Sequence, residues 1–138
     1  MESMKVVDYM DRQPVLLHAD MTLAAAVDKL LTQKKLGAAV VDVQGHLVGF
    51  LSQQDCLAVM LKSTYHCDLT ANVSDCMRTE VLTVTKETPI ITLAEQMLQS
   101  KPKIYPVIDQ GRVIGIIDRN AVLRAINISM QECYLKPA

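Results

Sequence analysis

Tryptophan is absent from this sequence and phenylalanine occurs once, so aromatic residues make up only 4% of a chain that is 50% apolar. A core built from it must be aliphatic, drawn from Val, Ile, Leu, Ala and eight Met. No apolar run approaches the roughly 18–20 residues of a membrane span, and the N-terminus lacks a signal-peptide hydrophobic stretch. These absences predict a cytoplasmic chain with no membrane partner. A formal net charge of −1 supplies no basic field, which argues against nucleic acid as a partner. The four cysteines, Cys56, Cys67, Cys76 and Cys133, show no CxxC spacing. Scattered thiols in a reducing compartment usually serve as small hydrophobes. His66-Cys67 with Cys76 lacks a fourth ligand at a recognisable zinc spacing, so no metal site is expected. His18 and His46 stand alone and read as surface or strand-edge residues. There is no P-loop, GxGxxG, HExxH or nucleophile elbow, so neither a catalytic residue nor a required cofactor is expected.

What the sequence does contain is a repeat. Its 138 residues and 15.3 kDa suit one domain with a substantial core. A shift of 67 residues carries Val6, Asp8 and Met10 onto Val73, Asp75 and Met77, and Leu31, Lys34, Val40 and Asp42 onto Leu98, Lys101, Val107 and Asp109. One residue is then lost, Asp42-Val43-Gln44-Gly45 against Asp109-Gln110-Gly111. Beyond it a shift of 66 matches Gly45, Gly49 and Leu57 to Gly111, Gly115 and Leu123. A glycine-containing hairpin turn tolerates such a length change. The chain is therefore two copies of one unit.

Each copy predicts strand, helix, strand, strand, helix. The leading strands are the β-branched runs Pro14–Ala19 and Val81–Thr85. Thr22 and Thr88 read as N-caps, the second followed by Pro89 at the first helical position. Leu23, Ala26, Val27, Leu30 and Leu31 follow helical spacing, as do Ile90, Leu93, Ala94, Met97 and Leu98. Two strands and a short turn follow, Ala38–Val43 with Leu47–Leu51 and Ile104–Ile108 with Val113–Ile117. Runs such as Ala39-Val40-Val41 lack alternation, as expected of deeply covered strands. Closing helices span Gln53–Leu61 and Arg119–Ile128. The boundaries expected are residues 1–63 for the first repeat, 64–72 for a linker, 73–130 for the second repeat and 131–138 for a tail. The fold class is α/β (α+β), and two copies packed sheet to sheet would bury more core than either buries alone.

Gly49-Phe50-Leu51-Ser52-Gln53-Gln54-Asp55 is the stretch on which function centres. A strand runs into a tight turn and a helix whose N-cap is Ser52 and whose third residue is Asp55. Such a corner presents backbone N–H groups and a hydroxyl, which suit phosphate, beside a carboxylate that can accept from a ribose diol. By itself Ser52-x-x-Asp55 also reads as a capping box with Asp in place of Glu or Gln. The second copy, Gly115-Ile116-Ile117-Asp118-Arg119-Asn120-Ala121, keeps a cap at Asp118 and lacks the later carboxylate. A carboxylate where phosphate would sit repels it, and Ala121 offers a diol no partner. Lys34, Lys35, Lys101 and Lys103 lie at helix ends, where cations suit the dipole, with Lys34 or Lys35 in reach of a phosphate tail.

Two strand–helix–strand–strand–helix copies closing on Gly-apolar-apolar-Ser/Thr-x-x-Asp resemble a tandem pair of cystathionine β-synthase domains, a Bateman module. The resemblance runs from about Lys5 to Met130 and includes the Val-Val-Asp and Val-Ile-Asp strand ends. It implies a regulatory module and no enzyme, binding an adenosine-containing ligand such as AMP, ADP, ATP or S-adenosylmethionine. Carried over by position, Ser52 would meet phosphate and Asp55 the ribose. Gly37 and Ala38 would line one side of the cleft, and Glu80, Leu82 and Thr83 the other. The resemblance also implies a homodimer and, with no output domain in this sequence, an effector protein acted on in trans. The alternative is a ligand-free dimerisation or docking module.

Overall fold

The computed structural model describes residues 4–64, 70–99 and 102–135. His66, Cys67 and Asp68 of the expected linker therefore lie outside the described residues, as do Lys101 and the last three residues of the tail. A short 3₁₀ turn at Val6–Asp8 precedes β1 (Leu16–Leu17), α1 (Leu23–Thr32), β2 (Gly37–Val41), β3 (Leu47–Ser52) and α2 (Gln53–Ser63). There follow α3 (Val73–Cys76), α4 (Ile90–Gln99), β4 (Ile104–Asp109), β5 (Arg112–Asp118) and α5 (Arg119–Leu135). The final helix thus runs well past the expected Ile128 and takes in much of the presumed tail.

The chain divides into two compact units whose limits do not coincide with the sequence repeats. The first contains Gln13–Val81 with Gln110–Val113, and the second Met1–Arg12, Leu82–Asp109 and Ile114–Ala138. Backbone hydrogen bonds explain the offset. In the second unit the N-terminal segment holds the start of α4, with Val6 N–H on Thr88 O at 2.9 Å and Ile90 N–H on Met4 O at 2.9 Å. In the first unit, Val73 N–H on Met21 O and Leu23 N–H on Ala71 O, both 2.9 Å, do the same for α1. Each unit thus borrows its bracing segment from ahead of the other repeat in sequence.

In the first unit β1 runs parallel to β2, and β2 antiparallel to β3, with Gly37 opposite Ser52 and Ala38 opposite Leu51. All of β2 is buried, as its unbroken apolar run requires. Leu23, Ala26 and Leu30 of α1 pack against Leu17, Ala38, Val40, Leu51, Cys56 and Val73. Thr22 caps α1, its hydroxyl accepting from Ala25 N–H at 3.2 Å. β4 and β5 form a hairpin, and its residues Tyr105, Val107 and Ile117 join Val6, Val84, Ile90, Leu93 and Val122 in the core of the second unit. Gln110 and Gly111 both take positive φ, 53° and 79°, the backbone of a tight two-residue hairpin turn.

Three expectations about local structure need correction. The leading strands are short: β1 has two residues, and Val81–Thr85 contributes a single bridge, Val84 to Val107. The strand expected over Ala38–Val43 ends at Val41, because Asp42 Oδ1 accepts from Gln44 and His46 N–H, both at 2.9 Å, and folds the chain into its turn. Those N–H donors also hold the Asp42 carboxyl below its ordinary pKa, that of His46 most of all. Thr88 is not the cap of α4. Pro89 precedes the helix, and the Thr88 hydroxyl accepts from Thr85 N–H at 3.1 Å to close the turn before it.

Candidate functional site

The Ser52 corner forms where β3 breaks directly into α2. Ser52 keeps an extended backbone while Gln53 begins the helix, and the Ser52 hydroxyl accepts from Asp55 N–H at 3.1 Å. Asp55 reaches back, its Oδ2 accepting from Ser52 N–H at 3.3 Å and from the Ser52 hydroxyl at 2.8 Å. The corner is therefore a closed, reciprocal capping box, as its spacing allows. Gln53 N–H donates to Leu36 O at 2.8 Å, and the Gln53 side-chain amide to Lys35 O at 2.7 Å. These two bonds tie the helix mouth to the approach of β2, which places Gly37 and Ala38 beside it. Two first-turn N–H groups are thus already engaged, so an incoming anion meets fewer free donors than an isolated helix start would offer.

The other oxygen of Asp55 is held by a residue that the sequence reading did not single out. Arg78 Nε and a terminal guanidinium nitrogen donate to Asp55 Oδ1 at 3.3 and 3.2 Å. The Arg78 side chain is 67% exposed and that of Asp55 only 16%. Arg78 is brought there by its backbone, which bridges Phe50: Phe50 N–H to Arg78 O at 2.8 Å, Arg78 N–H to Phe50 O at 2.9 Å. Gly49 permits this approach. A Cβ on it would stand 2.6 Å from Met77 Sδ and 2.9 Å from Arg78 O.

Of the expected site residues, Ser52, Asp55, Gly37 and Ala38 come together in the first unit. Glu80 lies in the same unit and is exposed. Leu82 and Thr83 are exposed residues of the second unit. Lys34 has a backbone duty, since it takes φ 55° after α1 and its N–H donates to Leu31 O at 3.2 Å, while Lys35 N–H reaches Leu30 O at 2.9 Å. This six-to-one closure usually employs Gly or Asn at the left-handed position.

The equivalent corner in the second unit shares the scaffold and differs in chemistry. Asp118 Oδ1 accepts from Ala121 N–H at 2.8 Å, so the cap survives. Arg119 N–H donates to Lys103 O at 2.8 Å, as Gln53 does to Leu36. Asp11 bridges Ile116 in both directions, 2.8 and 3.0 Å, as Arg78 bridges Phe50. Gly115 admits the crossing segment just as Gly49 does, a Cβ there falling 2.7 Å from Asp11 O and 2.8 Å from Met10 Sδ. Ser52, Asp55 and Arg78 thus correspond to Asp118, Ala121 and Asp11. The same 67-residue shift that aligns Met10 with Met77 aligns Asp11 with Arg78, and this was the signal available in the sequence.

Among the described residues no cluster of three His, Cys, Asp or Glu is placed to hold a metal ion. Cys56 is a core thiol, pushed up to about 11 first by burial and then by the nearby Cys76 and Asp55. No described helix is long and apolar enough to cross a membrane.

The family model for the CBS domain matches residues 6–62 and again 73–128. The structure of the CBS-pair protein CBSX2 from Arabidopsis thaliana superposes with a TM-score of 0.84 at 27% identity, covering 94% of this chain and 99% of that one. CBSX2 in complex with AMP gives a TM-score of 0.78 at 29% identity, covering 91% and 98%. A protein from Methanocaldococcus jannaschii described as uncharacterized is 28% identical over 126 residues, 89% of this chain and 56% of its own length. The A-adding tRNA nucleotidyltransferase of Aquifex aeolicus is 25% identical over 130 residues, 94% of this chain and 15% of its own length. This chain therefore spans about half of one curated relative and a small part of another. With both repeats matched in order, it belongs to the CBS domain family, as a tandem pair.

Proposed function

We propose that this chain is a regulatory module that binds an adenosine-containing ligand at the Ser52 corner and signals to a partner in trans, without catalysis of its own. The observation that carries this reading is the pairing of a hydroxyl and a carboxylate at one helix mouth, in a chain 29% identical to a protein solved with AMP. Ser52 is the proposed phosphate contact and Asp55 the ribose contact, with Gly37, Ala38 and Glu80 from the same unit. AMP, ADP, ATP and S-adenosylmethionine are the candidates. A bound ligand acts only through its differential affinity for two arrangements of the protein.

Thermal denaturation with each candidate tests the proposal. A ligand at a hundredfold excess over its Kd should stabilise the fold by about 2.7 kcal/mol. Asp55→Ala should abolish that gain while lowering ligand-free stability by about 1 kcal/mol, the scale of a weakened cap. A melting point unmoved by every candidate at millimolar concentration would contradict the proposal.

A second reading, a dimerisation module independent of ligand, draws on the exposed Leu57 and Leu61 of α2 and on Leu123, equivalent to Leu57, on α5. Exposed leucines one turn apart on a helix suit pairing with another helix. Sedimentation of Leu57→Glu/Leu61→Glu should show monomers if those residues pair the chains, and an unchanged mass would exclude them.

A further inference from the structure

We infer that Arg78 is a specificity-determining residue of the Ser52 corner: it blocks the ribose position of Asp55 until a phosphorylated ligand draws it away. The inference rests on the proposed adenosine reading and extends it to the charge of the ligand. A carboxylate has two oxygens and about four acceptor directions. In this structure all four are in use, Oδ2 by the Ser52 N–H and hydroxyl and Oδ1 by two guanidinium nitrogens of Arg78. A ribose diol donating to Asp55 must therefore displace a donor that is already there.

Two donors can leave. The Ser52 hydroxyl can turn its proton from Asp55 to a phosphate oxygen, since it needs only to rotate. Arg78 is the looser of the two carboxylate partners, at 3.2–3.3 Å against 2.8 Å for the hydroxyl, and its side chain is largely exposed. Its backbone is fixed by the bridge to Phe50, so the guanidinium swings about a fixed root at the edge of the corner. Phosphate offers both displaced donors a new acceptor, and for Arg a bidentate one. A neutral nucleoside opens Asp55 equally but leaves the guanidinium without a replacement. The corner should thus favour phosphorylated over unphosphorylated adenosine compounds, and Arg78 should carry much of that preference. The charge reversal to Asp11 at the equivalent place, alongside Asp118, agrees with an anion being accepted at one corner and refused at the other.

Calorimetric titration of the full chain with AMP and with adenosine tests this. Arg78→Gln retains most of the side chain without its charge, and Arg78→Lys restores the charge without the planar fork. For Arg78→Gln, AMP binding should weaken about tenfold, the scale of a charge-assisted hydrogen bond. Adenosine should bind up to about fivefold more tightly, because the competing exposed ion pair is gone. Arg78→Lys should recover part of the AMP preference. If both ligands bind the unaltered chain and their affinity ratio in Arg78→Gln stays within about twofold of the original, the role given to Arg78 is wrong and the adenosine reading stands. If the unaltered chain binds neither at millimolar concentration, both fall together. Unchanged melting of the free variants shows that affinity, and not folding, has been altered.

Discussion

The two corners of this molecule are built alike and equipped differently. Each ends a β-strand at a capped helix, and each is crossed by a segment that a glycine admits, Met77-Arg78 over Gly49 and Met10-Asp11 over Gly115. In each, the first helical N–H is tied to the carbonyl ahead of the neighbouring strand. The side chains set on this shared frame are Ser52, Asp55 and Arg78 at one corner and Asp118, Ala121 and Asp11 at the other. The approach of the neighbouring strand also differs, Gly37-Ala38 against Ile104-Tyr105. What the two corners share is what the backbone demands, so the differences are where ligand chemistry is to be sought.

The largest expected effect strikes the shared part. Gly49→Val and Gly115→Val both force a side chain into backbone and methionine sulfur, and each should destabilise the protein by about 3 kcal/mol in urea unfolding. A marked inequality between them would mean that the frames are less alike than their hydrogen bonds indicate. Removing the caps comes next. Ser52→Ala and Asp118→Ala should each cost about 1 kcal/mol of stability, but only Ser52→Ala should weaken the response to AMP. An Asp118→Ala protein that no longer responds would transfer the site to the other corner. The smallest effect concerns Tyr105, whose buried hydroxyl has no protein partner among the described residues. Tyr105→Phe should leave stability unchanged or raise it by up to about 1 kcal/mol, since an unpaired buried hydroxyl is unfavourable. A clear loss would reveal a role for that hydroxyl in the second unit.

The repeat, the helix–strand–strand–helix order common to both copies and the family were legible because they rest on local signals: helical spacing over residues 23–31, turn glycines at Gly45 and Gly111, and a hydroxyl or carboxylate where each closing helix begins. What escaped depends on partners distant in sequence. The Thr88 hydroxyl is drawn back to Thr85, which leaves Pro89 ahead of the helix. The leading strands looked longer than they are because β-branched runs report propensity, while pairing with β2 or β4 decides how many residues are held. The offset between repeats and compact units arises from bonds such as Val6 to Thr88, for which local periodicity carries no sign. Arg78 escaped for the same reason, as it meets Asp55 from 23 residues away. Only the repeat alignment, by setting Arg78 against Asp11, marked the position at all.

The central claim is that one corner of the pair, and not its twin, seats a nucleotide. Isothermal titration of AMP into the unaltered chain, Asp55→Ala and Asp118→Ala measures this directly through stoichiometry. One AMP per chain is expected in the unaltered protein and in Asp118→Ala, and none in Asp55→Ala. Two AMP per chain, or binding that survives Asp55→Ala and vanishes in Asp118→Ala, would contradict it.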